Sequence, residues 1–274
     1  MKLRPVQAMR YDSGSACSVT EHVTEEDVLQ INVNGEPFTV TLRTPGDDLE
    51  LGRGLLFTES VCTSPAAPIV MHEKCDGKSG RVLAMDVDIP AAFLSRDISG
   101  ARSLASTSSC GLCGAREMHG MGIAGAPLTP GGVFDPAGIP AMQERMRARQ
   151  TTFRESGGSH AAAAFTLGGD ELAVFEDVGR HNAVDKVVGA LLDRNAIALA
   201  QCLLLSGRIS YEIVIKAYKE GMPFVAAVSA PSSLAVRAAQ QLGVCLLGFC
   251  RETRATVYTH PEYIAAAAKV SVEA

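Results

Sequence analysis

The amino-acid sequence predicts an α/β fold, with a largely parallel sheet in the C-terminal part and a smaller N-terminal α+β part. Apolar and polar residues alternate on both sides of Asn34-Gly35, which predicts an antiparallel hairpin. Further along, helical patterns separate short apolar runs typical of strands buried on both faces: ELAVFE (171–176), QCLLLS (201–206), PFVAAVS (223–229) and VCLLGF (244–249). We place a boundary near residue 150, between one domain over residues 1–150 and another over residues 151–274.

The first half of the chain has fewer regular patterns. Residues 47–60, DDLELGRGLLFTES, begin with acidic residues and carry spaced leucines, so they predict a helix that the interior glycines weaken. Cys17 is expected in a frayed terminus. Three further segments follow: a strand pair over KSGRVLAMDVDIP (78–90), a Gly-, Ala- and Pro-rich loop over residues 117–140, and a short polar helix at AMQERMRARQ (141–150).

Helices are also predicted around and between the C-terminal strands. His160 opens an alanine-rich segment that is expected to be helical. Apolar residues at helical spacing mark a second helix, which Asn182 or Asp185 caps and Asn195 ends: Val184, Val187, Val188 and Leu191. Two more helices are bounded by Ser and Gly: Ser210 to Gly221, and Ser232 or Ser233 to Gly243.

Composition excludes several classes of protein. The 274 residues are 47% hydrophobic and 20% charged with a formal net charge of -5, which suits a globular chain and argues against a nucleic-acid surface or a polybasic membrane anchor. The N-terminus lacks the apolar core of a signal peptide, so a cytoplasmic location is expected. Eight cysteines are too few for a disulfide scaffold of this length, and they are expected to be thiols.

Arginines recur where the predicted strands end. Arg180, Arg208 and Arg251 follow three of the apolar runs, and two of them come after glycine. Ligands of open α/β sheets bind beyond the carboxyl ends of the strands, where helix N-termini and guanidinium groups favour phosphate. The pattern predicts a pocket for an anionic ligand of nucleotide size, although a single Gly-Arg is usually a turn with a solvated charge. The residues expected at this edge are Arg180, His181, Ser206, Gly207, Arg208, Ser229 and Arg251.

Two histidines have two interpretations each. His181 either caps a helix and pairs with a nearby carboxylate or contacts the ligand. His160 follows two glycines, and either begins a helix or binds an anion there.

The stretch STSSCGLCGAR (106–116) places Cys110 and Cys113 three residues apart among small polar neighbours that cannot bury them. A zinc site would need a second such pair, which the sequence lacks, and a thioredoxin-like pair would need a helix that the surrounding glycines disfavour. The third chemistry is group transfer, in which a thiolate carries sulfur as a persulfide and the neighbouring thiol assists. Cys202 and Cys245 are expected in the core, whereas Cys250 is expected to line the pocket.

A set of motifs carries a resemblance to a known family. SSCGLCG, GGSHAAA, EDVGRHNAVDKVVG, SGRISYEIVIKA, SAPSSLAVRAA and LLGFCR occur in this order across most of residues 28–260. Together they resemble the FdhD family of formate dehydrogenase accessory sulfurtransferases. The resemblance implies that sulfur passes from a cysteine desulfurase to the bis(molybdopterin guanine dinucleotide) cofactor of molybdenum or tungsten. It also implies that formate dehydrogenase needs this sulfur for its activity.

The resemblance further implies the residues that carry this function. The cysteine pair of the family matches Cys110 and Cys113, with Cys110 as the persulfide carrier. It implies a C-terminal three-layer domain similar to the cytidine deaminase fold, a homodimer, the catalytic subunit of formate dehydrogenase as a partner, and guanine nucleotides such as GDP as mimics of the cofactor. The cofactor-binding segment of the family matches Phe249, Cys250, Arg251, Glu252, Thr253 and Arg254.

Two other functions compete with sulfur transfer. A zinc deaminase acting on a nucleobase needs His-x-Glu followed by Pro-Cys-x-x-Cys, but here the cysteine pair precedes His160 and no Glu follows that histidine at the required spacing, so no metal ligands are assigned. A non-catalytic chaperone that binds the cofactor or the dehydrogenase would use the same pocket. Only the thiols distinguish this chaperone from a sulfurtransferase.

Overall fold

The computed structural model describes residues 2–62, 64–94, 104–105 and 125–265. The chain forms two compact units: unit 1 comprises residues 1–118, 148–162 and 174–197, and unit 2 comprises residues 119–147, 163–173 and 198–274. The chain therefore enters each unit more than once, whereas the sequence predicted a single boundary near residue 150. Composition could not indicate this division, because its boundaries at residues 147/148, 162/163 and 173/174 fall within α2, β8 and β9 and not within a polar linker.

The chain begins with a long two-stranded ribbon that the sequence analysis missed. Strands β1 (Leu3–Asp12) and β2 (Ser15–Thr24) pair antiparallel along their whole length. Ser13 and Gly14, both with positive φ, make the turn between them. Cys17 therefore lies exposed in a strand, and the prediction of a frayed terminus is wrong because this turn sets the pairing.

A five-stranded sheet and a helix form the core of unit 1. The elements are β3 (Asp27–Val33), β4 (Glu36–Arg43), α1 (Asp48–Thr58), β5 (Val70–Cys75), β6 (Val82–Asp88) and β7 (Leu104–Ala105), with strand order β5-β6-β3-β4-β7. The hairpin at Asn34-Gly35 is confirmed, since both residues have positive φ between the antiparallel strands β3 and β4. Of the strand pair expected over 78–90, only β6 lies there, and its partner β5 precedes it.

The remaining elements alternate between helix and strand. They are α2 (Ile139–Arg149), α3 (Thr151–Ser156), β8 (His160–Phe165), β9 (Glu171–Asp177), α4 (Arg180–Asp193), β10 (Cys202–Leu205), α5 (Tyr211–Lys219), β11 (Phe224–Ala227), α6 (Ser233–Leu242), β12 (Cys245–Arg251) and β13 (Arg254–Val257). The four predicted apolar strands are confirmed as β9, β10, β11 and β12. None of the described helices is long and apolar enough to span a bilayer.

The strands from β8 to β13 form one six-stranded sheet. Its order is β13-β12-β11-β10-β8-β9, with β10, β11 and β12 mutually parallel and β13 antiparallel at one edge. Strands β10 and β11 are buried along their whole length, as the lack of alternation predicted. The mixed α/β class is therefore confirmed.

His160 begins a strand and not a helix. Gly157 adopts the left-handed conformation (φ 66°) and ends α3, after which residues 160–165 extend as β8. Its alanines are fully buried, at no more than 2% exposure. Alanine has a high intrinsic helix propensity, but burial of a sheet position on both faces outweighs that preference. The prediction of a helix N-terminus at His160 is therefore wrong.

Helices α1 and α4 pack together through two glycines within unit 1. A Cβ at Gly54 would lie 1.8 Å from the carbonyl oxygen of Asp185, and a Cβ at Gly189 would lie 1.9 Å from that of Glu50. The glycines that weakened the predicted helix α1 thus allow the two backbones to approach closely. Packing against α4 compensates for the low helix propensity of these positions.

Candidate functional site

Three of the predicted ligand segments meet at one edge of the sheet in unit 2. Because β10, β11 and β12 are parallel, their carboxyl ends share this edge. Backbone hydrogen bonds continue beyond the strands: Ile209 N donates to Ala230 O at 3.2 Å, and Phe249 N donates to Ser229 O at 3.2 Å. The structure therefore brings together the segments that contain Ser206, Gly207, Arg208, Ser229 and residues 249–254.

Two arginines lie opposite each other at the tip of the β12–β13 hairpin. Arg251 and Arg254 are Cα partners, with Glu252 and Thr253 in the turn between them. Both side chains are exposed, and within the described part of the chain neither forms an ion pair or side-chain hydrogen bond. Like charges directly opposite in an antiparallel pair repel each other, so an anion bound between them would relieve the repulsion. The hairpin tip is therefore suited to phosphate.

Phe249 presents an aromatic ring beside these arginines. Its φ is 51° and its side chain is 38% exposed. A bulky residue in the left-handed region is a backbone outlier, and such strain often marks a ligand site. Gly248 is packed tightly, since a Cβ there would lie 2.9 Å from the ring of Tyr258 and 3.0 Å from Pro231. The backbone at Gly248 is thus held in place next to the exposed ring.

Cys250 occupies a different environment from its neighbours. Its side chain is 1% exposed, and its Sγ donates to Leu247 O at 3.6 Å. Burial raises the pKa of Cys250 to about 11, so the thiol stays protonated at neutral pH. The sequence analysis expected this side chain to line the pocket. The structure places it in the core, and only its backbone belongs to the strand end.

Arg180 and His181 belong to unit 1, where they form the first turn of α4. Gly179 is the N-cap residue and provides no side-chain cap. The Nε of half-buried Arg180 has no hydrogen-bond partner among the described residues, which leaves this guanidinium suited to an anion. His181 is 4% exposed, so its side chain is buried. His160 is half-buried at the start of β8, also in unit 1.

The acidic residues that precede Arg180 have structural roles. Glu176 accepts hydrogen bonds from the backbone N of Thr152, at 2.8 Å, and of Phe153, at 2.8 Å, and so caps α3. Asp177 accepts a hydrogen bond from Gly179 N at 2.8 Å and pairs with Lys186 at 2.8 Å, with both side chains fully buried. Glu176 and Asp177 of the EDVGRHN motif therefore stabilise the structure around the turn that leads to Arg180.

Helix α4 also supplies buried polar groups that the sequence analysis misassigned. Asn182 and Asp185 were expected to cap this helix. Instead, Asn182 Nδ2 donates to Leu42 O at 2.7 Å, and Asp185 accepts from Thr58 Oγ1 at 2.8 Å. Lys186, which was not singled out, donates to Thr44 O at 3.0 Å. The helix begins at Arg180, ahead of the predicted caps, because the buried carboxylate of Asp177 holds the preceding turn.

Cys110 and Cys113 lie outside the described residues. The described cysteines are all free thiols: Cys17 and Cys75 are exposed, whereas Cys62, Cys202, Cys245 and Cys250 are buried. Among the described residues, no group of three His, Cys, Asp or Glu side chains could hold a metal ion. The structure does describe a sheet edge with exposed arginines, which are suited to an anion.

One buried polar residue near this edge was missed. Gln143 of α2 is 2% exposed, and its Nε2 donates to Cys250 O at 2.6 Å. No signal in the sequence could have found it, because Gln143 lies in a polar helix among residues of similar type. Its partner is 107 positions away in the chain.

Comparisons with known proteins give a consistent result. The model of the FdhD/NarQ family matches residues 24–265. The chain is similar to the sulfur carrier protein FdhD of Mycobacterium tuberculosis, with 40% identity over 256 residues, covering 89% of this chain and 92% of the relative. The protein of the same name from Sulfolobus acidocaldarius is 36% identical over 265 residues, covering 96% of this chain and 99% of the relative.

A solved structure shares the fold. It is that of a candidate formate dehydrogenase accessory protein from Desulfotalea psychrophila, with a TM-score of 0.78 and 22% sequence identity. The match covers 97% of this chain and 100% of that chain. At this level of identity the likeness concerns the fold alone.

Proposed function

The chain belongs to the FdhD/NarQ family, and we propose that it is a sulfur carrier that delivers sulfur to the bis(molybdopterin guanine dinucleotide) cofactor of molybdenum or tungsten required by formate dehydrogenase. The names of its relatives support sulfur transport. The cofactor is proposed as the acceptor of the sulfur because Arg251 and Arg254 lie opposite each other at the sheet edge. The cofactor carries two pyrophosphate groups, and guanidinium forks match phosphate oxygens.

The residues proposed to contact the cofactor fall into two groups. At the sheet edge of unit 2 they include the arginines and Phe249, whose ring offers a face for a guanine or pterin. In unit 1, half-buried Arg180 begins α4, a helix of 14 residues whose N-terminus favours anions, so Arg180 is proposed as a separate anion contact of that unit, whereas buried His181 is not. GDP is the simplest probe for these contacts, because it carries one guanine and one pyrophosphate.

The sulfur chemistry is assigned to Cys110 and Cys113. The Cys110 thiolate attacks the terminal sulfur of the persulfide on a cysteine desulfurase, whose own thiolate leaves. Cys110 then carries the sulfur as a persulfide. Attack of the Cys113 thiolate on Cys110 Sγ releases hydrosulfide to the cofactor and leaves a disulfide, so the two thiols supply the two electrons that reduce the sulfur. A thiol reductant then restores the pair.

This proposal includes the cellular setting. The desulfurase, the catalytic subunit of formate dehydrogenase and a second copy of this chain are the proposed partners, and the cytoplasm is the proposed location. We also propose that the C-terminal part resembles the cytidine deaminase fold. The six-stranded sheet, in which β10, β11 and β12 are mutually parallel, is compatible with it.

Intact mass after incubation with a cysteine desulfurase and cysteine tests the carrier role. We expect a gain of one or more sulfur atoms that a reductant removes and that Cys110→Ser abolishes. Cys75→Ser is the matched control, because Cys75 is an exposed thiol in a described strand. A gain that persists in Cys110→Ser would reject the assignment.

The absence of any gain would favour the competing function, a chaperone that binds the cofactor or formate dehydrogenase without moving sulfur. Activation of formate dehydrogenase in cells separates the two functions further. The carrier requires Cys110 for this activation, whereas the chaperone retains it in Cys110→Ala.

A further inference from the structure

The segment that carries Phe249 and the paired arginines is irregular. Strand β12 pairs with β13 at Gly248 and again at Arg251, with a register shift between these positions. Phe249 and Glu252 both have positive φ, at 51° and 52°. Each such residue costs about 1–3 kcal/mol and persists only where its surroundings hold it. The surroundings of this segment therefore decide its conformation.

Gln143 is the side chain that reaches into this irregular stretch. Its Nε2 donates to Cys250 O at 2.6 Å, and the carbonyl belongs to the residue between Phe249 and Arg251. The side chain of Gln143 is 2% exposed and that of Cys250 is 1% exposed, so water does not readily replace the donor. A buried carbonyl that loses its partner is destabilised, and the backbone would then rearrange to find another.

We propose that Gln143 is a positioning residue, which holds the backbone at Cys250 so that the Phe249 ring and the opposed arginines face the phosphate-bearing ligand. This inference rests on the proposed function of the sheet edge. Gln143 is buried and therefore acts through Cys250 rather than by touching the ligand. The sequence motifs of the strand end thus depend on a helix that lies outside them.

The absence of tryptophan from the chain makes a local reporter possible. Phe249→Trp would introduce a single indole at the segment in question. We expect the double variant Phe249→Trp, Gln143→Met to show lower fluorescence anisotropy of the indole than Phe249→Trp alone. Methionine has a similar length and no donor. The double variant should also bind GDP about tenfold more weakly than Phe249→Trp alone does. This factor corresponds to the loss of a positioning hydrogen bond worth about 1.4 kcal/mol.

Arg145 offers a matched control on the same helix. Its Nη1 donates to the backbone carbonyl of Gly169 at 2.7 Å, and Gly169 is not part of the ligand segment. Arg145→Met in the Phe249→Trp background should leave the anisotropy of the indole unchanged and the affinity for GDP within twofold. An equal effect of both substitutions would show general loosening of α2 and overturn the proposal.

Gln143→Glu gives a second variant with a pH readout. A protonated carboxyl at this position can donate to Cys250 O, whereas a carboxylate cannot, and burial raises the pKa of a carboxyl. The quantity to measure is the ratio of the GDP affinity of Gln143→Glu to that of wild type at the same pH. We expect this ratio to be close to one at low pH and to fall as pH rises. A flat ratio across pH, or unchanged anisotropy in a folded Gln143→Met variant, would overturn the proposal.

The experiment separates this inference from the proposed function. If wild type binds no GDP, the ligand assignment fails, but the anisotropy of the introduced indole still reports whether Gln143 holds the segment. Sulfur loading of Cys110 gives an independent readout, which we expect to be normal in Gln143→Met.

Discussion

Arg251 and Arg254 lie directly opposite each other at the last paired position of β12 and β13. Side chains of directly opposed residues project from the same face of an antiparallel pair, so the two guanidinium groups are held on one side of the hairpin tip. A chain selected for stability alone would favour an opposite charge at one of these positions. The like-charged pair is the observation that supports the proposed anionic ligand.

Replacement of one arginine by glutamate should separate stability from binding. Arg254→Glu converts the repulsive pair into an attractive one, so the free energy of unfolding should stay constant or rise by about 0.2–1 kcal/mol. Affinity for GDP should fall more than tenfold, because a phosphate-binding group is lost and a negative charge is added. Titration calorimetry and urea denaturation measure the two quantities.

Arg147→Glu provides the control for net charge. Arg147 is exposed on α2 and makes no described ion pair or side-chain hydrogen bond. We expect this variant to keep wild-type affinity for GDP. If it weakened binding as much as Arg254→Glu does, long-range charge rather than a local site would explain the effect.

The close contact between α1 and α4 predicts that a glycine-to-alanine substitution there lowers the free energy of unfolding, although such a substitution in a helix usually raises it. Glycine to alanine inside a helix usually stabilises a protein by about 0.5–1 kcal/mol. Gly189→Ala should instead destabilise unit 1 by about 1–3 kcal/mol or more, because its Cβ would lie 1.9 Å from Glu50 O. Gly77→Ala, with no atom within 4 Å of the added Cβ, should change stability by less than about 0.5 kcal/mol. Equal urea midpoints for the two variants would contradict the close crossing.

The buried pair of Asp177 and Lys186 predicts strong coupling between the two residues. Lys186→Met should cost about 3–5 kcal/mol of unfolding free energy, because Asp177 keeps a buried charge without its cation. The double variant Asp177→Asn, Lys186→Met should be more stable than Lys186→Met alone, since it removes both charges. Additive losses in a double-mutant cycle by urea denaturation would argue against the pair.

The buried thiols predict a loss of stability in alkaline solution. Burial raises the pKa of Cys250 to about 11 and that of Cys245 to about 12, whereas a thiol in the unfolded chain titrates near 8.5. Stability from each thiol is therefore fully present below about pH 8.5 and is lost as pH rises above it, because the unfolded state releases the proton first. At pH 9.5 the loss should be about 1.4 kcal/mol per thiol.

Urea denaturation between pH 7.5 and pH 9.5 measures this loss. Cys250→Ala should lower the initial stability and also reduce the decrease with pH. Cys75→Ser should leave the decrease unchanged, because Cys75 is exposed. A decrease as steep in Cys250→Ala as in wild type would contradict the prediction for this thiol.

The local order of the C-terminal strands and most of their helices followed from the sequence, because periodicity and turn residues act over a few positions. Ser232 caps α6, Gly243 ends it, and Asn34-Gly35 makes the predicted hairpin. The arginines at the strand ends were also predictable for the same reason. Each Gly-Arg or serine follows a short apolar run without alternation, which is typical of a buried strand. The local sequence also singled out Cys110 and Cys113, and the family resemblance implied their roles; both residues lie outside the described part of the chain.

Only the tertiary structure decided where packing overrides the local preference of a residue for helix or strand. Alanines after His160 favour a helix locally but form a buried strand, and glycines that weaken α1 become necessary where α4 crosses it. The burial of Cys250 and its bond to Gln143 depend on residues 107 positions apart, and nothing in either local pattern encodes that contact. Burial and close packing are properties of neighbours in space. The sequence alone therefore determined the N-terminal hairpin, most of the C-terminal strands and helices and the chemistry at their ends, and packing determined the remaining elements and which of those side chains are available to a ligand.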